Sequence, residues 1–151
     1  MGTTRFQEAL DALVSGAATP SDALGLSPAI VRGMYALGRD ALREERPRDA
    51  EALFLRCVQL DPRRATHWLA LATAKQALGQ IEEAGELFQF AAMYGDDAAP
   101  LAYAAACFAE VGQLDRARIL ADAAREGVED PASIEPWLRV AEGRAGEGGA
   151  P

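Results

Sequence analysis

ATHWLALATAKQALGQIEEAGELFQFAAMYGDD, residues 65–97, is the stretch that decides the fold. Trp68, Leu71 and Ala72 lie on one helical face, and Gly79 then interrupts the run. Ala84, Phe88 and Ala91 mark a second face at i, i+4, i+7, a spacing that keeps side chains on one stripe of an α-helix. Two amphipathic helices joined at a glycine make a helical hairpin, and the same layout recurs on both sides. Ala50, Ala84 and Ala117 are spaced by 34 and then 33 residues. Gly79 and Gly112 are 33 apart, each followed by Gln and an aliphatic residue, and Phe54 and Phe88 are 34 apart. Leu37-Gly38 stands where Leu71-Ala72 and Ala104-Ala105 stand later, and Pro62 closes the first copy after Asp61.

A 34-residue helix–turn–helix with Trp, Leu, Gly/Ala, Ala, Phe, Ala and Pro at these offsets resembles the tetratricopeptide repeat. The copies are 31–64, 65–97 and 98–130. The fold expected is all-α: a right-handed superhelix of three such hairpins, with an N-terminal helix and a C-terminal capping helix. Repeat helices are predicted near 28–44, 48–60, 65–78, 81–94, 98–111 and 114–126. Ser27-Pro28 supplies the first start, through a capping hydroxyl and a proline in the first turn. Asp130-Pro131 opens a last helix to about 143, with Ile134, Trp137, Leu138 and Val140 on one face. An open stack needs such a cap over its final repeat. Residues 1–27 are read as an N-terminal helix and linker, 28–143 as the repeat domain with its cap, and 144–151 as a flexible tail.

At 151 residues, half of them hydrophobic, the chain can bury one core. The net charge of −8 is unevenly spread. Residues 31–64 carry eight basic and six acidic groups, whereas 65–130 carry four basic and eleven acidic. An acidic surface argues against nucleic acid, whose affinity rests on Lys and Arg, and disfavours anionic membranes. Cys57 and Cys107 fall in apolar helical runs and read as buried thiols rather than a disulfide framework. The longest uncharged apolar run, residues 98–109, is too short to span a bilayer. The first 30 residues include Arg5, Glu8, Asp11 and Asp22 and no long apolar core, so a cytoplasmic protein is expected.

Catalytic patterns do not emerge. His67 stands alone beside Trp68, no metal-ligand spacing occurs, and the glycines at 143–149 follow no strand and precede no helix. No enzyme, metal or cofactor is expected. What remains is binding. Stacked hairpins curve, and their first helices line a concave face. In tetratricopeptide repeats positions 2, 5, 9 and 12 face that hollow. Here these are Arg32, Tyr35, Arg39 and Leu42, then Thr66, Leu69, Thr73 and Gln76, then Ala99, Ala102, Ala106 and Ala109. Tyr35, Leu42 and Leu69 offer apolar walls. Arg39, Thr73 and Gln76 can hydrogen-bond an extended backbone. The all-alanine row leaves room for another chain's side chains, and exposed apolar grooves mark interaction sites. The alternative is that the protein's own terminal segments fill the hollow. A separate amphipathic stripe at Phe6, Ala9, Leu10, Leu13 and Val14 must also pack on something, either its own chain or a second subunit.

The stretches MYALGRDALREERPRDAEALF, LALATAKQALGQIEEAGELFQFAAM and AYAAACFAEVGQLDRA, with an N-terminal helix before three repeats and a short helix after them, resemble the class II chaperones of type III secretion systems, the SycD/LcrH/IpgC family. The resemblance covers roughly residues 28–126. It implies a bacterial cytoplasmic chaperone that keeps hydrophobic translocator proteins soluble without hydrolysing ATP. It implies a guest of the form Pro-x-Leu-x-x-Pro lying against Tyr35, Leu42, Leu69, Thr73, Ala102 and Ala106, and a homodimer built with Phe6, Leu10 and Leu13. A general repeat scaffold and a chaperone of needle subunits remain as alternatives.

Overall fold

A computed structural model describes residues 2–147, and the side-chain surroundings of residues 5–143. Nine α-helices and no strand occur among the described residues. Helix α1 spans Gly2–Ser15 and α2 spans Pro20–Ala23. The three hairpins are α3 (Pro28–Arg43) with α4 (Pro47–Leu60), α5 (Ala65–Ala77) with α6 (Ile81–Tyr94), and α7 (Ala99–Glu110) with α8 (Leu114–Gly127). A 3-10 turn at Pro131–Ser133 leads into α9 (Glu135–Glu147).

The turn chemistry repeats with the sequence. Each first helix ends by letting an amide reach back across its last turn: Arg46 N to Ala41 O (2.8 Å), Gln80 N to Lys75 O (3.0 Å) and Gln113 N to Phe108 O (2.8 Å). Closing a helix this way puts one residue in the left-handed region. Gly79 and Gly112 serve there, at φ of 76° and 82°. The first copy uses Glu45 at φ 57°, so the Glu-Arg-Pro turn makes the same bend without a glycine.

Two apolar clusters fill the stack. Ala41, Ala50, Phe54, Val58, Leu71 and Ala74 join the first repeat to the second. Ala72, Ala84, Phe88, Phe108, Ala117 and Ala121 join the second to the third. Small residues set how closely helices approach. Gly38 lies against the Phe54 ring and Gly85 against Phe108, and Arg116 covers that second ring with its guanidinium 3.8 Å from the centroid. Trp68 stacks on Phe90 and Tyr94, with centroids 4.9 and 5.8 Å apart, and its indole donates to Pro62 O at 2.6 Å. That bond fixes the elbow between the first two repeats.

Lys75 ties three helices together. Its ammonium lies 2.6 Å from Glu51 on α4 and 2.9 Å from Glu83 on α6, with the lysine side chain only 17% exposed. The hydrogen bonds to Glu51 and then Glu83 raise its pKa above the ordinary 10.5. A raised folded-state pKa stabilises fully below the unfolded value, and the stabilisation is lost as pH climbs through the folded one. Lys75→Met is therefore expected to cost about 1 kcal/mol near neutral pH. It should also remove part of the loss of stability above pH 10.5, as read from urea unfolding at pH 7 and at pH 11.

Helix α2 was not foreseen. It is one turn capped reciprocally: Thr19 Oγ1 accepts from Asp22 N, and the Asp22 carboxylate accepts from Thr19 N. This is a capping box, legible as Thr-Pro-Ser-Asp. Helix α9 continues to Glu147, into the stretch read as a tail from residue 144; residues 148–151 lie outside the described residues.

Candidate peptide groove

The concave face is uneven. In its first two rows Arg32, Arg39, Thr66 and Thr73 are exposed, while Tyr35, Leu42, Leu69 and Gln76 are half-buried. Tyr35 leans on Phe54 and His67, at centroid distances of 5.6 and 5.8 Å, so its ring is held in place before any guest arrives. Leu42 packs at the edge of the first cluster and Leu69 at the edge of the second. Thr73 already donates its hydroxyl to Leu69 O at 2.9 Å. Gln76 turns its amide to Cys107 Sγ at 3.4 Å, so it braces α7 as well as facing the groove.

The third row differs from the sequence expectation. Ala102 is 0% exposed and Ala106 5%, and Ala99 and Ala109 are buried too. The room these alanines leave is taken by the chain itself. Helix α9 packs chiefly on α7 and less on α8, whereas α5 packs far more on α4 than on α3, and α7 far more on α6 than on α5. Ile134, just before α9, and Leu138 and Ala141 on α9 share a buried cluster with Ala99, Ala102 and Ala109. Trp137 meets Tyr103 edge-on at 4.8 Å, and Arg125 of α8 pairs with Glu142. A row of methyl groups is a smooth bed for a helix, and here the capping helix lies in it. The open groove is therefore two repeats long, with Ala102 beneath its closed end and Ala106 buried as well.

His67 is not a surface residue. It is buried at the start of α5, and Nδ1 donates to Asp61 O at 3.1 Å. Burial pushes its pKa down, with the Asp61 bond opposing, so the imidazole is neutral near pH 7 and supports Tyr35. Cys57 and Cys107 are buried free thiols. Burial raises both pKa values, that of Cys107 to about 11. Among the described residues no group of three His, Cys, Asp or Glu could hold a metal, and no helix is long and apolar enough to cross a membrane.

On α1, Phe6 and Val14 are 69% and 82% exposed and Leu10 is exposed as well, while Leu13 is half-buried. The unpartnered stripe thus runs Phe6, Leu10, Val14 at i, i+4, i+8, and Leu13 sits at its edge. Helix α1 makes slight contact with the other helices, chiefly with α2.

Three stacked hairpins around a hollow have the layout of a tetratricopeptide-repeat protein. Comparison with solved structures narrows this. A type III secretion complex from Aeromonas hydrophila is similar over 93% of this chain and 97% of its own, with 23% identity and a TM-score of 0.80. PcrH, a Pseudomonas aeruginosa protein solved with the chaperone-binding region of PopD, is 26% identical over 82% of this chain and 97% of its own, with a TM-score of 0.72. SycD, the Yersinia enterocolitica type III secretion chaperone solved with a peptide of the translocator YopD, is 20% identical over 81% and 97%, with a TM-score of 0.70. In fold the chain is thus similar to solved type III secretion chaperones. No family model and no curated protein matches it.

Proposed function

We propose that the protein is a cytoplasmic, non-enzymatic chaperone of a bacterial type III secretion system, holding hydrophobic translocator proteins soluble until export. The carrying observation is the open two-repeat groove at Tyr35, Leu42 and Leu69, on a fold shared with PcrH, which was solved with the chaperone-binding regions of both PopD and PopB. A translocator's membrane-seeking segments aggregate or insert early if left free. Burying one extended segment of the same chain holds it in a soluble complex. Each filled apolar pocket contributes about 1.5–3 kcal/mol before ordering costs, and prolines in the guest lower those costs because their backbone is already extended. The α1 stripe gives a route to a homodimer through Phe6 and Leu10, with Leu13 at the margin; SycD likewise has been solved as dimers.

The test uses a fluorescein-labelled peptide carrying Pro-x-Leu-x-x-Pro. It should bind saturably. Thr73→Arg, at an exposed position in the middle of the groove, should weaken it by about tenfold or more with an unchanged circular dichroism spectrum. A folded Thr73→Arg variant that binds as well as the parent would remove the groove from consideration.

A further inference from the structure

At the α2 end the groove runs on into a cleft of about 560 Å³, formed by Thr19, Ser21 and Asp22, the first turn of α3 and the start of α5. Arg32, Tyr35 and Thr66 line this cleft and also belong to the groove face, so the two are one hollow. The far end is shut by α9 on the alanine row. A guest longer than two repeats therefore leaves toward the cleft.

Four charged side chains line that exit: Asp22, Asp61, Arg64 and Arg32. Three are engaged locally. Asp22 accepts from Thr19 N at 2.9 Å and Oγ1 at 2.8 Å, and Asp61 pairs with Arg64 at 2.9 Å. Arg32 pairs with no carboxylate among the described residues, and neither does Arg39 two turns further along α3. In a chain of net charge −8, the two uncompensated arginines of α3 both stand on the groove face.

We propose that the guest segment carries a carboxylate on the side that enters this cleft, and that Arg32 binds it. The inference rests on the groove reading above and adds the chemistry of the occupant. Covering an exposed guanidinium without an acceptor forfeits its hydrogen bonds to water. A carboxylate restores them as a forked, charge-assisted pair. A lysine in the same place meets like charge. The acidic group thus selects the guest and sets the direction in which it lies, because the open end of the hollow carries the unpaired Arg32.

The experiment uses labelled peptides with a common Pro-x-Leu-x-x-Pro core, flanked by Glu, Gln or Lys on either the N-terminal or the C-terminal side. For one placement the Glu peptide should bind about five- to tenfold tighter than its Gln counterpart at low salt, and the Lys peptide weaker. The Glu advantage should shrink as salt rises, vanish in Arg32→Gln and reverse in Arg32→Glu. Arg32 is exposed, so these variants keep the fold. Equal affinity of Glu and Gln peptides in both placements overturns the inference and leaves the groove standing. So does a Glu advantage that survives Arg32→Gln. Failure of every peptide to bind the parent sinks the groove reading, and this inference with it.

Discussion

Gly38→Val is expected to lower stability by about 2–3 kcal/mol, with a melting temperature some 5–10 °C lower. A Cβ at Gly38 would stand 2.5 Å from Cε1 of Phe54 and 2.9 Å from two further ring atoms. The ring has nowhere to go, since Phe54 is fully buried among Ala41, Ala50 and Leu71 with Tyr35 on its edge. The variant must push α3 off α4 or force Phe54 from its rotamer. Gly33, on the same helix with open space around its Cα, supplies the control: Gly33→Ala should gain about 0.5–1 kcal/mol through lower chain entropy and better helix propensity. Urea titration of the two variants separates the outcomes. A Gly38→Val protein as stable as the parent would contradict the close approach of α3 and α4. Because Tyr35 leans on the same ring, the damaged repeat should also lose its groove wall.

Ala102→Glu is expected to be at least as harmful, about 3 kcal/mol or more, because it puts an unpaired carboxylate beneath Ile134 and Leu138. Read from sequence, this substitution would block a guest while leaving helicity intact. With Ala102 fully buried under α9, its first effect is on the cap. The carboxylate drives α9 off α7, Trp137 parts from Tyr103, and tryptophan emission shifts to the red well below the denaturation midpoint. Wild-type stability together with unshifted emission would mean that α9 does not lie on the alanine row.

The repeat helices were legible because their signals are local. Periodicity at Trp68/Leu71/Ala72 and Ala84/Phe88/Ala91, with glycine stops 33 residues apart, gave α5–α8 to within one residue at either end. The first turn was legible as a turn, although its left-handed residue is Glu45 rather than glycine. The placement of α9 was not legible. The same row, Ala99, Ala102, Ala106, Ala109, suits an empty bed for a guest and a filled bed for a capping helix equally well. Only the partner's position distinguishes them, and that is a tertiary fact. His67 shows the same limit. Its side chain stands alone in the sequence, and the carbonyl of Asp61 that accepts its hydrogen bond carries no side-chain signature. On α1, the 3.6-residue period put Leu13 and Val14 equally close to the apolar stripe. In the structure Val14 is exposed and Leu13 half-buried.

The way α9 packs also orders events during synthesis. From α3 to α8 each helix finds its main neighbour next to it in sequence, so hairpins can close as they emerge, with little loop entropy to overcome. Helix α9 instead reaches back past α8 to α7, and it leaves the ribosome after both of them. Repeats one and two, which carry the open hollow, are thus complete before the third is sealed. The hollow is therefore exposed to its surroundings while translation of the third repeat is still under way.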